Sequence, residues 1–457
     1  MSICKVFIPY GALGAGISEE AFQAGLDLKP DIISCDAGST DSGPFYLGTG
    51  NCKYSKASIK TDLRRMIIGA HKAGIPITIG SAGTCGTDNG VDELGQICEE
   101  ICQEEGIHGK KLVKIYTEQS SERLADYYAK GKIRPLGNAP QIDASVFEEC
   151  THIVALSGAE PFIEALKNGA DIVICGRATD TAVIAALPLL YGCDEASAWH
   201  GAKVCECGSL CTTVPVDGGV FLTVGDDYFT VEPTAAESRC TVYTVSAHLL
   251  YENSDPIHLV EPGVFVDTSQ CQYEQINERT VKVTHTRLEH THPYTMKLEG
   301  ASESGYQTVS LVGVRDPKIM ENPEIWISRL SEYMENKLHK LGFPFEDFSY
   351  QLRAYGWNAV YGGAVPQGYR PNELGVLLTV TAKTQELATQ VAKAFNPMLL
   401  HFPLNWEQPL PSFAFPFSPS EIQRGKIYEF RLNHIVEIEN PLELVRFEEI
   451  MLGQKGE

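Results

Sequence analysis

The stretch Asp31-Ile32-Ile33-Ser34-Cys35-Asp36-Ala37-Gly38-Ser39-Thr40-Asp41-Ser42-Gly43-Pro44 joins a short apolar run to a loop of small and polar residues. Such a run, closed by Asp and Gly, reads as a buried strand entering a turn. The same pattern recurs along the first half of the chain. Val6–Pro9 ends at Gly11-Ala12-Leu13-Gly14-Ala15-Gly16, Ile75–Gly80 at Ser81-Ala82-Gly83-Thr84, Leu112–Tyr116 at Glu118 and Ser120, His152–Leu156 at Ser157-Gly158, and Asp171–Cys175 at Gly176-Arg177. Ser18–Leu28, Ile59–Ala73 and Val91–Glu105 carry helical periodicity between them. Strands alternating with helices predict an α/β domain on a parallel sheet, doubly wound or barrel-like, because parallel neighbours need crossover connections.

After about residue 215 the helices thin out, and strand-like runs follow at Phe221–Val224, Thr241–Ser246, Thr280–His285 and Thr295–Leu298. A second order then emerges. It comprises a strand near Gln307–Val314, a helix near Pro323–Leu341, strands near Tyr350–Ala354 and Gly375–Thr381, a helix near Gln385–Phe395 and a strand near Ile427–Leu432. This β-α-β-β-α-β succession predicts an α+β domain containing a ferredoxin-like unit. The expected division is 1–215 for the α/β domain and 216–402 for the mixed domain. Residues 403–457 then supply a Pro-rich connection and a final strand joining the second domain.

The 457-residue chain carries a formal charge of −22, which argues against nucleic-acid and anionic-membrane partners, since both require clustered Lys and Arg. The N-terminus enters a strand at once, and no apolar stretch approaches about 18 residues, so a cytoplasmic location is expected. Fourteen cysteines in such a protein are expected to be reduced and mostly buried.

Chemistry is expected where strands end, because the carboxyl edge of a parallel sheet is where ligands approach. Asp36 and Asp41 are candidate catalytic acids or bases, or oxygen ligands for a divalent metal cation. Gly38, Ser39 and Thr40 beside them, and Ser81 and Thr84 on the next loop, are candidate substrate-binding residues. The bland alternative is a loop held by Asx and Ser/Thr turns. Glu160, Arg177 and Asp180 extend the same edge, with Arg177 as the anion anchor or as the partner of Asp180, Glu160 or Asp36. Glu206 and Cys207 are a candidate acid and thiol. Cys205, Cys207 and Cys211 have a spacing that permits an iron–sulfur cluster but lacks the usual C-x2-C pairs. Gly11, Gly14 and Gly16 follow a strand and precede a helix, where backbone amides would cradle a dinucleotide phosphate. The histidines at 285, 290 and 292 have no clear ligand spacing, and His434 is a candidate to reach the pocket from the last strand.

Four segments together resemble the acyclic terpene utilisation (AtuA-like) family: CDAGSTDSGP at 35–44, GAEPFIEALKNGADIVICGRATDTAVIAALPL at 158–189, ECG at 206–208 and RLNHIVEIENPLELVR at 431–446. The resemblance implies small-molecule catabolism among branched acyl-CoA or carboxylic acid intermediates, without implying a particular reaction. Cys205 and Cys211, which flank the matched ECG, are additional.

The residues then favour a lyase, a hydratase or dehydratase of a small hydroxy acid or acyl-CoA, because that reaction needs a base, an acid and a carboxylate clamp. Two alternatives stand beside it: a dinucleotide-dependent oxidoreductase at Gly11–Gly16, and a non-catalytic, ligand-binding subunit. A homo-oligomer is expected, with room for a small accessory subunit.

Overall fold

The computed structural model describes residues 2–251, 253, 255–407 and 409–453. The chain divides into two compact units, Met1–Ser302 with Phe430–Glu457, and Glu303–Glu429.

The first unit is built on a mixed sheet of ten strands. Its strands are labelled β1 (Cys4–Ile8), β2 (Ile32–Asp36), β3 (Ile77–Gly80), β4 (Lys110–Tyr116), β5 (Ile133–Pro135), β6 (His152–Ala155), β7 (Ile172–Cys175), β8 (Val220–Val224) and β9 (Tyr228–Pro233). The central ladder β1-β2-β3-β7-β4 is parallel throughout. Gln272–Gln275 lies at one edge and Arg446–Leu452 at the other, so the sheet is open and no barrel closes.

The central strands are apolar on both sides because both sides are covered. Ile32, Val173 and Cys175 point into one cluster with Val183, Ile184 and Leu187 of helix Asp180–Leu190. Ile33, Cys35, Ile172 and Ile174 point into another with Met66 and Leu94. Those two residues belong to helices Lys56–Ala73 and Asp88–Glu105, which start at the side-chain caps Ser55 and Thr87.

The boundary expected at 215–216 lies inside this unit. β8 pairs antiparallel with β1 from Ile8↔Val220 to Cys4↔Val224, and β9 pairs with β8. The change of texture after residue 215 therefore marks a switch from crossover helices to antiparallel hairpins on the same sheet. The end of the chain also returns here, where Arg446–Leu452 pairs with β4. Two further expectations are corrected. β6 leaves the main sheet and pairs antiparallel with Leu298–Ala301. Thr241–Ser246 forms part of a helix, Val242–His248, started by a capping box in which Thr241 and Thr244 each bond the other's backbone amide.

In the second unit the order is strand Tyr306–Val314, helices Pro317–Glu321 and Pro323–Lys340, strands Phe348–Tyr355 and Leu374–Ala382, helix Gln385–His401 and the first part of strand Ile422–Ile438. Its sheet places Phe348–Tyr355 beside Leu374–Ala382, which pairs with Tyr306–Val314. Helices Pro323–Lys340 and Gln385–His401 contribute Trp326, Leu330, Val391 and Phe395 to the core. Leu374–Ala382 alternates buried and half-buried residues along its length, as a strand with one covered face should. Among the described residues between 403 and 419, regular pairing is limited to a bridge from Ala414 to Gly313.

Candidate active site at the carboxyl edge of the parallel strands

The five parallel strands deliver their following loops to one edge, and several of the first unit's buried charges collect there, among them Asp36 and Arg177. Asp36 is the last residue of β2 and is 3% exposed. Its Oδ2 accepts the amide of Gly38 at 2.7 Å, while its Oδ1 is buried with no hydrogen-bond partner among the described residues. Burial pushes this carboxyl well above the usual range, the charge of Asp180 pushes it further, and Arg177 opposes both.

Arg177 follows β7 and is 6% exposed. Its Nε donates to Glu299 at 3.1 Å, and its Nη1 donates to Ser81 Oγ at 2.9 Å, the Ala178 carbonyl at 3.2 Å and Asp180 at 3.5 Å. None of these bonds uses Nη2. Burial opposes the guanidinium charge, but Glu299, Asp180 and Asp36 outweigh it and hold the group protonated. Glu299 is itself buried, yet Arg177 and Lys297 bring its pKa down to about 2. The position of Arg177 depends on Gly86, where an added Cβ would lie 2.0 Å from the Arg177 backbone nitrogen.

The loop carrying Ser81 and Thr84 is strained. Both residues have positive φ, 48° and 81°, which is costly for any non-glycine residue and most so for a β-branched one. Ser81 thereby reaches Arg177. Thr84 Oγ1 instead accepts the amide of Lys53 at 2.9 Å, so it braces a neighbouring loop.

Glu206 lies just past helix Glu195–Cys205 and pairs with Lys203 at 2.5 Å. Burial raises this carboxyl, Lys203 pulls it down, and Asp180 and Glu261 push it up again. Glu261 is raised by burial too, against hydrogen bonds from Thr181 and Thr179. Asp180, the first residue of its helix, thus feels both halves of a single charged cluster: Asp36 with Arg177, and Lys203 with Glu206 and Glu261. The ECG loop is pressed against the turn after β1. A Cβ on Gly11 would sit 2.5 Å from the Cys207 carbonyl oxygen, so only glycine permits this approach.

Several sequence candidates fall elsewhere. Asp41 is solvent-exposed and accepts a bond from Ser39 Oγ at 2.8 Å, in a short 3-10 turn. Thr40 is buried and receives the Gly43 amide through its carbonyl at 3.0 Å. These three residues form the loop, but it is Asp36 and Gly38 that meet the charged cluster. Glu160 is raised by burial and bonded to the Tyr294 hydroxyl at 2.8 Å. It borders a cavity of about 370 Å³ lined also by Trp199, Gly263 and Tyr294, a short step along the chain from Glu261. The amides of Gly14 and Gly16 are both taken by Asp62 Oδ2, at 2.9 and 3.1 Å, so a side chain already fills the cradle a phosphate would need.

The metal candidates also regroup. None of the fourteen cysteines is in a disulfide. Cys205 and Cys211 are buried with Cys240, whereas Cys207 comes together with Glu206 and His248. Among the described residues neither Asp36 with Asp41 nor Cys205 with Cys207 and Cys211 forms a ligand set. His290 pairs with Glu195 at 3.0 Å, and His434 is buried where its strand pairs with β5 at Pro135.

Lys203, His248, Glu261 and Glu299 were not singled out from the sequence. Each is an isolated polar residue in an unremarkable context, and only Lys203, one helical turn before Glu206, had a usable spacing signal.

The model of the acyclic terpene utilisation family protein AtuA matches residues 49–227 and 225–408. The chain belongs to this family. The family match contains Arg177, Asp180, Glu206 and Cys207, while the loop at 35–44 precedes it. No curated protein is similar enough to be matched. No helix among the described residues is long and apolar enough to cross a membrane.

Proposed function

We propose that this AtuA-family chain is a hydro-lyase that adds water to, or removes it from, a small hydroxy acid or its CoA ester. The observation that carries the reading is a buried acceptor, Asp36 Oδ1, that lies near the Ser81 hydroxyl but has no hydrogen bond of good geometry among the described residues, in the same cluster as a guanidinium whose four hydrogen bonds there use only Nε and Nη1. A carboxylate or thioester carbonyl at Arg177 would have its developing charge stabilised there.

In the dehydration direction, Asp36 takes the proton α to the carbonyl, and the electron pair forms the Cα–Cβ double bond. The Cβ–O bond breaks, and the departing hydroxyl leaves as water with a proton delivered by Lys203 of the Lys203–Glu206 pair. Burial strengthens Asp36 as a base by raising its pKa, and the Arg177 charge acts in the opposite direction. The cavity beside Glu160 and Tyr294 would take the remainder of the acyl group. The filled glycine turn supports this reading over a dinucleotide oxidoreductase.

The test is a panel of hydroxy acids and acyl-CoA esters, followed by α-proton exchange in heavy water and by formation of the conjugated product. Asp36→Asn should abolish exchange, and Arg177→Met should raise KM more than it lowers kcat. A wild-type protein that neither binds any member of the panel nor exchanges an α-proton would remove the reading.

A further inference from the structure

We infer that Glu206, Cys207 and His248 form a binding site for a borderline-soft divalent cation of the Zn²⁺ or Fe²⁺ class, with one coordination position left open. One donor atom from each side chain lies within 4.8 Å of the other two, and Glu206 and His248 are 5% and 6% exposed. Zinc bonds of about 2.0–2.3 Å to O, N and S imply ligand-to-ligand edges of roughly 3.3–3.8 Å, so rotamer adjustments of about 1 Å close the set. Thiolate with imidazole selects against Mg²⁺ and Ca²⁺, which take oxygen ligands. Three protein ligands, rather than four, is the pattern of sites that keep a place for water or substrate.

The surroundings fit a ligand shell. Lys203 bonds Glu206 Oε1 at 2.5 Å and fixes the carboxylate, so the other oxygen serves as the ligand. His248 ends helix Val242–His248 and stacks on Tyr251, with ring centroids 5.8 Å apart. Cys207 is held by the backbone approach of Gly11. Asp180 and Glu261 bring further negative charge to the same place, which a dication offsets.

Metal binding is read without any substrate, so this inference and the hydro-lyase reading stand or fall separately. Full-length protein is stripped with chelator and titrated with Co²⁺ and with Zn²⁺. Co²⁺ should give a thiolate-to-metal charge-transfer band that Zn²⁺ quenches at one equivalent. Cys207→Ser should abolish the band, and His248→Gln should weaken Co²⁺ binding at least tenfold, both with unchanged far-ultraviolet dichroism. Cys211→Ser, in the neighbouring thiol group, should keep the band. If Cys207→Ser does not fold, His248→Gln decides alone. No band in the wild type, a band that survives His248→Gln at full affinity, or one lost in Cys211→Ser but kept in Cys207→Ser, each overturns the assignment.

Discussion

Replacing Gly86 by alanine should damage the site through the backbone alone. A Cβ there would stand 2.0 Å from the Arg177 nitrogen, 2.4 Å from its Cα and 2.6 Å from the Gly176 carbonyl carbon, all main-chain atoms that no rotamer change can clear. Ordinary contact begins near 3.4 Å, so the two loops must part by about 1 Å, which costs roughly 1–3 kcal/mol as overpacking. The left-handed φ of 71° adds about 1–2 kcal/mol for an L-residue. Gly74 supplies the control, because it has nearly the same φ, 69°, and nothing within 4 Å of its would-be Cβ. Gly74→Ala therefore carries the conformational cost and Gly86→Ala carries both. A unit of about 330 residues has an unfolding entropy near 0.7 kcal/mol/K, so 1 kcal/mol moves Tm by roughly 1.4 °C. Calorimetry should show a fall of about 1–3 °C for Gly74→Ala and about 3–7 °C for Gly86→Ala. If the proposed function holds, the second variant should also bind its carboxylate ligand more weakly, since the Arg177 that would clamp it is displaced. Equal Tm shifts for the two variants, with ligand binding intact, would show that the strand-end loops do not meet as described.

Three further outcomes follow from the ion pairs and the second core. Glu299→Gln should destabilise by about 3–5 kcal/mol, because it leaves Arg177 buried against a neutral amide. Because the Glu299 pKa is depressed from 4.5 to about 2, its stabilisation is complete above 4.5 and fades as pH falls through that interval. The Tm gap between wild type and Glu299→Gln should narrow below pH 4.5, and a constant gap would contradict the ion pair. His152 is raised above 6.5 by its hydrogen bond to Glu118 at 2.6 Å, so its contribution is full below 6.5 and is lost as pH rises through the shifted value. An NMR titration should show the His152 midpoint falling toward 6.5 in Glu118→Gln. Trp326→Ala should cost about 3–5 kcal/mol in the Glu303–Glu429 unit, where the ring is fully buried and its Nε1 donates to the Phe402 carbonyl at 2.9 Å. Hydrogen exchange should then speed up at Val376–Val380 and stay unchanged at Ile32–Asp36.

Much of the framework is local and was legible. β2, β3 and β7 announce themselves as apolar runs ending in Gly and polar residues, and the later β-α-β-β-α-β order follows from periodicity alone. Thr241–Ser246 misled because β-branched residues favour strands, while a reciprocal cap can start a short helix from the same letters. The domain boundary misled because a sheet can change from parallel to antiparallel without ending. In the site, Asp36, Arg177, Asp180 and Glu206 were each visible as a polar residue beside a strand end or a glycine.

Local pattern settles the set of strand ends and puts Asp36 and Arg177 on one edge, because side-chain period and crossover connections are properties of neighbouring residues. Tertiary structure alone decided the partners. Glu299 arrives 122 positions after Arg177, His248 reaches Cys207 from a helix 41 positions on, and Asp62 enters the glycine turn from 48 and 46 positions away. Buried charges must find opposite charges or hydrogen bonds wherever the chain brings them. No local pattern records which distant residue will supply them.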